Sequence, residues 1–72
     1  LNDWTKDLMR WSENYLAKGN EKLLEEAVPE FEKTLIKVAL NRTRGRKKEA
    51  AELLGWGRNT LTRKMKELNI NN

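Results

Sequence analysis

Five polar residues near the end of this 72-residue chain, Arg58, Asn59, Thr62, Arg63 and Lys66, carry the chemistry that stands out most. Apolar residues recur around them at Leu61, Met65 and Leu68, four and then three apart, which is a helical period. At about 100° per residue those three share one face. Asn59, Thr62, Arg63 and Lys66 then gather on the opposite face, and Arg58 stands in the first turn. No acid occurs among the five. An arginine can grip the O6 and N7 of guanine with two hydrogen bonds, and an asparagine can do the same for the N6 and N7 of adenine. Thr60 and Thr62 add hydroxyls suited to a phosphate or a base edge. Most basic helix faces are simply solvated, but this one has no interleaved acids, and a short helical pattern precedes it.

The elements that must position this face lie just upstream. Residues 47–54 form a short helical pattern with Ala50, Ala51, Leu53 and Leu54 on one side. The Gly55-Trp56-Gly57 turn separates it from the next helix. Gly55 follows the last periodic residue, where a left-handed cap suits glycine, and Gly57 is placed to cap the next helix. Trp56 is expected to pack between the two helices. Two short helices crossing at a tight turn in a basic segment make a helix-turn-helix pattern. Arg46, Lys47 and Lys48, at the start of its first helix, are candidate phosphate contacts beside Arg58, Asn59, Thr60, Thr62, Arg63 and Lys66. The glycine pair alone would also fit an ordinary helical corner that binds nothing.

Composition narrows the function classes. The chain has no cysteine and no histidine, which removes disulfides, thiolate chemistry, the common zinc ligands and the usual neutral-pH base. No carboxylate pair sits in an obvious cleft, so no catalytic residue, metal or cofactor is expected. No apolar run approaches the ~20 residues needed to span a bilayer, and no signal peptide is visible. The expected location is the cytoplasm, with the nucleoid. Net charge is +4, unevenly spread. Residues 1–40 carry six Lys/Arg against eight Asp/Glu, and residues 41–66 carry nine against two. A polyanion is drawn to the second half alone. The basic segment has no aromatic cluster to stack unpaired bases, which argues against RNA.

The length allows one domain, 1–72, divided into helices at 1–44, a helix-turn-helix at 45–69 and a frayed tail at 70–72. An opening Leu rather than Met leads us to expect a fragment of a longer protein. Trp4, Leu8, Trp11 and Tyr15 mark a first amphipathic helix over residues 1–18, with Asp3 as a reasonable N-cap and Gly19-Asn20 ending it. A second helical segment, about residues 21–43, carries the stripe Leu24, Val28, Phe31, Leu35 and Val38. Leu23, Ala27, Ile36, Ala39 and Leu40 broaden that stripe. Pro29 either kinks this helix or separates a short one from a longer one, and Gly45 is placed to take the C′ position at its end. The helix-turn-helix is too small to cover all this apolar surface, so a second copy is expected to supply the missing partner. Trp4, Leu8, Trp11, Tyr15, Leu24, Val28, Phe31 and Leu35 are the expected dimer interface.

At GRKKEAAELLGWGRNTLTRKMKEL (45–68) the chain resembles the C-terminal domain of the nitrogen regulatory protein C (NtrC) family, bacterial enhancer-binding activators of sigma-54 RNA polymerase. The likeness runs back through LLEEAVPEFEKTLIKVAL, covering residues 21–70 well and the first helix loosely. The wider group is the Fis-type helix-turn-helix, whose pattern here is Ala50-Ala51, Leu54-Gly55 and Arg58-Asn59-Thr60-Leu61. The resemblance implies an all-α fold of four helices. Its first two helices would interlock with a partner's into a four-helix bundle, and the two recognition helices would read a palindromic, bent double-stranded DNA site. It also implies that Arg58 and Arg63 reach bases and that Thr60 holds phosphate, whereas Asn59 and Thr62 fall where the group varies. A receiver domain and an ATPase domain would belong to the parent chain. RNA polymerase contacts are expected from those other domains, and no ATPase activity from these residues. Two other readings are an architectural, Fis-like DNA-bending protein and a helical protein-interaction module with an acidic partner.

Overall fold

The computed structural model describes residues 3–71. These form four helices and no strand: α1 (Asp3–Ala17), α2 (Leu23–Arg42), α3 (Lys47–Leu54) and α4 (Arg58–Glu67). The core is small and lies at one end. Ile36, Ala39 and Leu40 of α2 meet Ala50 and Ala51 of α3 and Leu61 and Met65 of α4, with Leu54, Trp56, Leu68 and Ile70 packed around them. Alanines at 50 and 51 let α3 approach α2 closely, and the larger Ile36 and Leu61 fill the space between helices and are wholly buried. On α2 the broadening residues, not the main stripe, make this core. Leu24, Val28, Phe31, Leu35 and Val38 remain exposed.

α2 runs unbroken through Pro29. The ring removes one backbone donor, so the Glu25 carbonyl loses its usual partner inside the helix. The helix starts two residues later than its periodicity implies, because Lys22 adopts a left-handed conformation (φ 56°, ψ 48°). The Glu25 N–H donates to the Lys22 carbonyl at 3.0 Å. Between α1 and α2, Gly19 is also left-handed (φ 86°). Asn20 Nδ2 donates to the Tyr15 carbonyl at 3.1 Å and closes the corner. Asp3 is the first residue of α1; Leu1 and Asn2, included in the expected first helix, lie outside the described residues.

The other three helices end alike. A left-handed residue (Arg44, Gly55 or Asn69) is followed by one whose N–H reaches back five residues: Gly45 to Leu40, Trp56 to Ala51 and Ile70 to Met65, at 2.8–2.9 Å. This is the Schellman arrangement, which satisfies carbonyls that a helix end otherwise leaves bare. It corrects two expectations. At the end of α2 the left-handed C′ residue is Arg44 (φ 57°), not Gly45, which comes one place later. The expected frayed tail does not begin at Ile70, because that residue is bonded to Met65 and packed on the core. Asn72 lies outside the described residues.

α1 contributes no buried residue and leans on α2 through Trp4 and Phe31, whose ring centroids are 6.0 Å apart. The Cα radius of gyration is 14.2 Å, against about 11 Å for a compact chain of this length. The excess comes from a helical hairpin extending beyond the core.

Candidate nucleic-acid interface

The turn between α3 and α4 is built as its glycines imply. Gly55 is left-handed (φ 80°), and the Trp56 N–H donates to Ala51 O at 2.9 Å, which folds the indole back onto the core. Gly57 is the extended N-cap of α4 (φ −76°, ψ 157°), with no side chain to cap it. Leu61 and Met65 are buried and Leu68 is half-buried, so the inner face of α4 is fixed. Arg58, Asn59, Thr62, Arg63 and Lys66 are consequently exposed, and Thr60 is half-buried. The first turn of α4 contains no acid, so the positive end of the helix dipole adds to the charge of Arg58. The surface can attract an anion and offers donors of the kinds that base edges accept.

The exposed residues differ in how free they are. Thr62 Oγ1 donates to the Arg58 carbonyl at 3.1 Å, so its proton is turned to its own helix and the oxygen is left as an acceptor. Arg63 is paired with Glu67, Nη1 to Oε2, at 3.1 Å. Lys64, which the helical period leaves off the outward face, is half-buried. Its ammonium reaches across to Glu32 of α2 at 3.0 Å, and both side chains are about three-quarters buried. This pair links α4 to α2 beside the core. No local signal reveals it, since its partners stand 32 residues apart.

At the start of α3, Arg46 is the extended N-cap (φ −80°, ψ 103°), so the helix begins at Lys47. Arg46 and Lys48 are exposed and Lys47 is half-buried. Arg46 is 3.7 Å from Glu49. Thr43 is half-buried, and its Oγ1 lies 2.9 Å from Ala39 O and 3.2 Å from Arg46 O, close to both ends of the corner between α2 and α3. Arg42 and Arg44 stand with Arg46 around a shallow depression of about 380 Å³ that Glu49, Glu52 and Leu53 also line. These two arginines were not singled out as contacts from the sequence, although they contribute to its basic stretch.

Of the expected dimer residues, Trp4, Leu8, Trp11, Phe31 and Leu35 line one apolar groove of about 640 Å³ between α1 and α2. Leu24 and Val28 are exposed outside that lining, and Tyr15 is half-buried, stacked on Trp11 at 5.3 Å. Among the described residues no group of His, Cys, Asp or Glu could hold a metal ion. No helix there is long and apolar enough to cross a membrane.

Known proteins share this pattern. The chain is 54% identical over 67 residues to the DNA-binding transcriptional regulator NtrC of Proteus hauseri. It is 55% identical over the same length to that of Escherichia coli (strain K12). Each match covers 93% of this chain and 14% of the relative, so the chain spans about one-seventh of the proteins it matches. A more distant relative, NtrC of Azospirillum brasilense, is 44% identical over 48 residues, 67% of this chain. Residues 27–68, from the second turn of α2 to just past the end of α4, match the bacterial regulatory proteins of the Fis family, and the chain belongs to that family.

Proposed function

We propose that this chain binds double-stranded DNA sequence-specifically, as the DNA-binding domain of a sigma-54-dependent, NtrC-like activator. The observation that carries the reading is the outward face of α4. Its apolar side is locked into the core, and it presents Arg58, Asn59, Thr62, Arg63 and Lys66 to solvent. Arg58 and Arg63 have the reach for base edges, with Asn59 beside them. Thr60, Arg46, Lys47 and Lys48 serve phosphates, and Lys66 adds charge. The family and the named activity of the relatives support the same role. The domain's work is binding, with no catalytic step. RNA polymerase contacts belong to other parts of the parent protein, which acts in the cytoplasm at the nucleoid.

The chain acts as a homodimer on a palindromic site. Trp4 at 55% and Phe31 at 47% exposure are too open for a finished core, and a matching pair of α1–α2 hairpins would close the groove. A two-fold dimer then presents two copies of α4 to half-sites about one helical turn apart.

Two substitutions and a selection test this. Arg58→Ala should weaken binding to the specific site by ~1–3 kcal/mol and relax preference at one base position. Lys48→Ala should instead weaken all sequences alike and reduce the dependence on salt. Oligonucleotides selected from a random pool should be palindromic. Non-palindromic output would remove the two-fold reading, and unchanged specific binding by the Arg58 variant would remove α4 as the reader.

A further inference from the structure

The cations of α4 are used in three different ways. Lys64 is turned inward to Glu32. Arg63 is held by Glu67, one turn further along, in a contact that is both an ion pair and a hydrogen bond. Arg58 and Lys66 have no carboxylate within ion-pair distance among the described residues.

Stability does not account for the second arrangement. Both side chains of the Arg63–Glu67 pair are more than half exposed, and exposed pairs add little to a fold. The base precedes the acid, which is the weaker orientation along a helix. Glu67 is also the last residue of α4, where the helix dipole disfavours a negative charge. A carboxylate has been placed where the fold gains least from it, beside an arginine of the outward face.

We infer that Glu67 is a specificity-determining residue, holding Arg63 back from phosphates while leaving it able to reach a base edge. The inference rests on the DNA-binding reading above. Random DNA offers Arg63 chiefly phosphates. Taking one exchanges one anion for another and brings a second negative charge close to Glu67. A guanine edge is uncharged and accepts two hydrogen bonds. The guanidinium has five N–H donors, and Glu67 engages Nη1, so donors remain for O6 and N7 with the carboxylate still in place. Glu67 therefore opposes non-specific contact and helps to orient the specific one. It acts through Arg63, as a positioning residue.

The test compares Glu67→Gln with Glu13→Gln, an equal change of charge on α1. Affinities are measured over a salt series for the selected palindromic duplex and for a random-sequence duplex. Glu67→Gln should tighten random DNA roughly two- to fivefold and steepen its logarithmic salt dependence by up to about 0.9. Binding to the selected site should stay within about twofold, so discrimination falls. Glu13→Gln should move both duplexes equally, and in an Arg63→Ala background Glu67→Gln should likewise no longer change the ratio of the two affinities. Equal shifts on both duplexes, or a change in discrimination that persists without Arg63, would overturn the role of Glu67. Failure of the unsubstituted chain to bind either duplex would overturn the DNA reading instead, so the two failures are distinguishable.

Discussion

The two ends of the molecule are finished to different degrees. From Ile36 onward, α2, α3, α4 and the residues after them enclose a core in which Ile36, Ala50 and Leu61 are essentially sealed from water. From residue 3 to residue 35 no side chain is buried, although this half holds Trp4, Trp11, Tyr15 and Phe31. Apolar content is thus a poor guide to where a core lies; what matters is whether apolar faces meet other elements. α3 and α4 bring small and large residues to one side of α2. α1 alone cannot cover the aromatic side, and the groove between them stays open. The basic half encloses its core within one chain, and the aromatic half leaves its apolar groove open.

The contrast can be broken first at the sealed end. Leu61→Ala removes a fully buried side chain and should destabilise the domain by about 2–5 kcal/mol. Chemical denaturation should show this loss at every protein concentration, because the cavity lies within one chain. At the open end, Trp11→Ala should behave differently. Its cost should appear as a weaker dimer, by about 2 kcal/mol where an aromatic anchors an interface. Sedimentation equilibrium should show dissociation at higher concentrations, and melting should then lose its dependence on concentration. A Trp11→Ala loss that is independent of concentration would place Trp11 in the monomer's own stability and erase the distinction. The smallest effect tests a corner. Arg44 adopts a left-handed conformation that suits glycine, so Arg44→Gly should raise stability by about 0.5–1 kcal/mol. That substitution also removes a charge from the basic half and should slightly weaken binding to any DNA.

Much of the fold is legible in the sequence because it is local. The period of Leu61, Met65 and Leu68 gives α4 and its two faces, and Gly55 and Gly57 give the turn before it. The outward placement of Arg58, Asn59, Thr62, Arg63 and Lys66 follows from the same period. What escapes is set by tertiary contact or by choices that the backbone makes between near-equal options. Nothing in the sequence pairs Lys64 with Glu32, which α2 brings beside it. Gly45 attracts the cap assignment because glycine tolerates that geometry best, yet the chain puts Arg44 there and Gly45 one place later. Ile70 looks like tail until its N–H is found on Met65 O. Pro29 left two alternatives open, and neighbouring turns carry the helix through it. On α2 the main apolar stripe stays exposed, and α3 and α4 dock on its edge at Ile36, Ala39 and Leu40. Sequence periodicity records which residues are apolar, and not which of them a partner will cover.

α2 belongs to both ends. Its residues Phe31 and Leu35 line the open groove, and Ile36, Ala39 and Leu40 hold the domain that carries α4. A helix of 20 residues is a rod of about 30 Å. In a two-fold pair, the crossing angle of two such rods would determine how far apart the two reading heads stand. A tilt of about 5° would shift the far end of one rod by roughly 2.6 Å, close to the 3.4 Å rise of a single base pair. Side chains that never approach a nucleotide could therefore act as the gauge that matches the protein to the spacing of its half-sites.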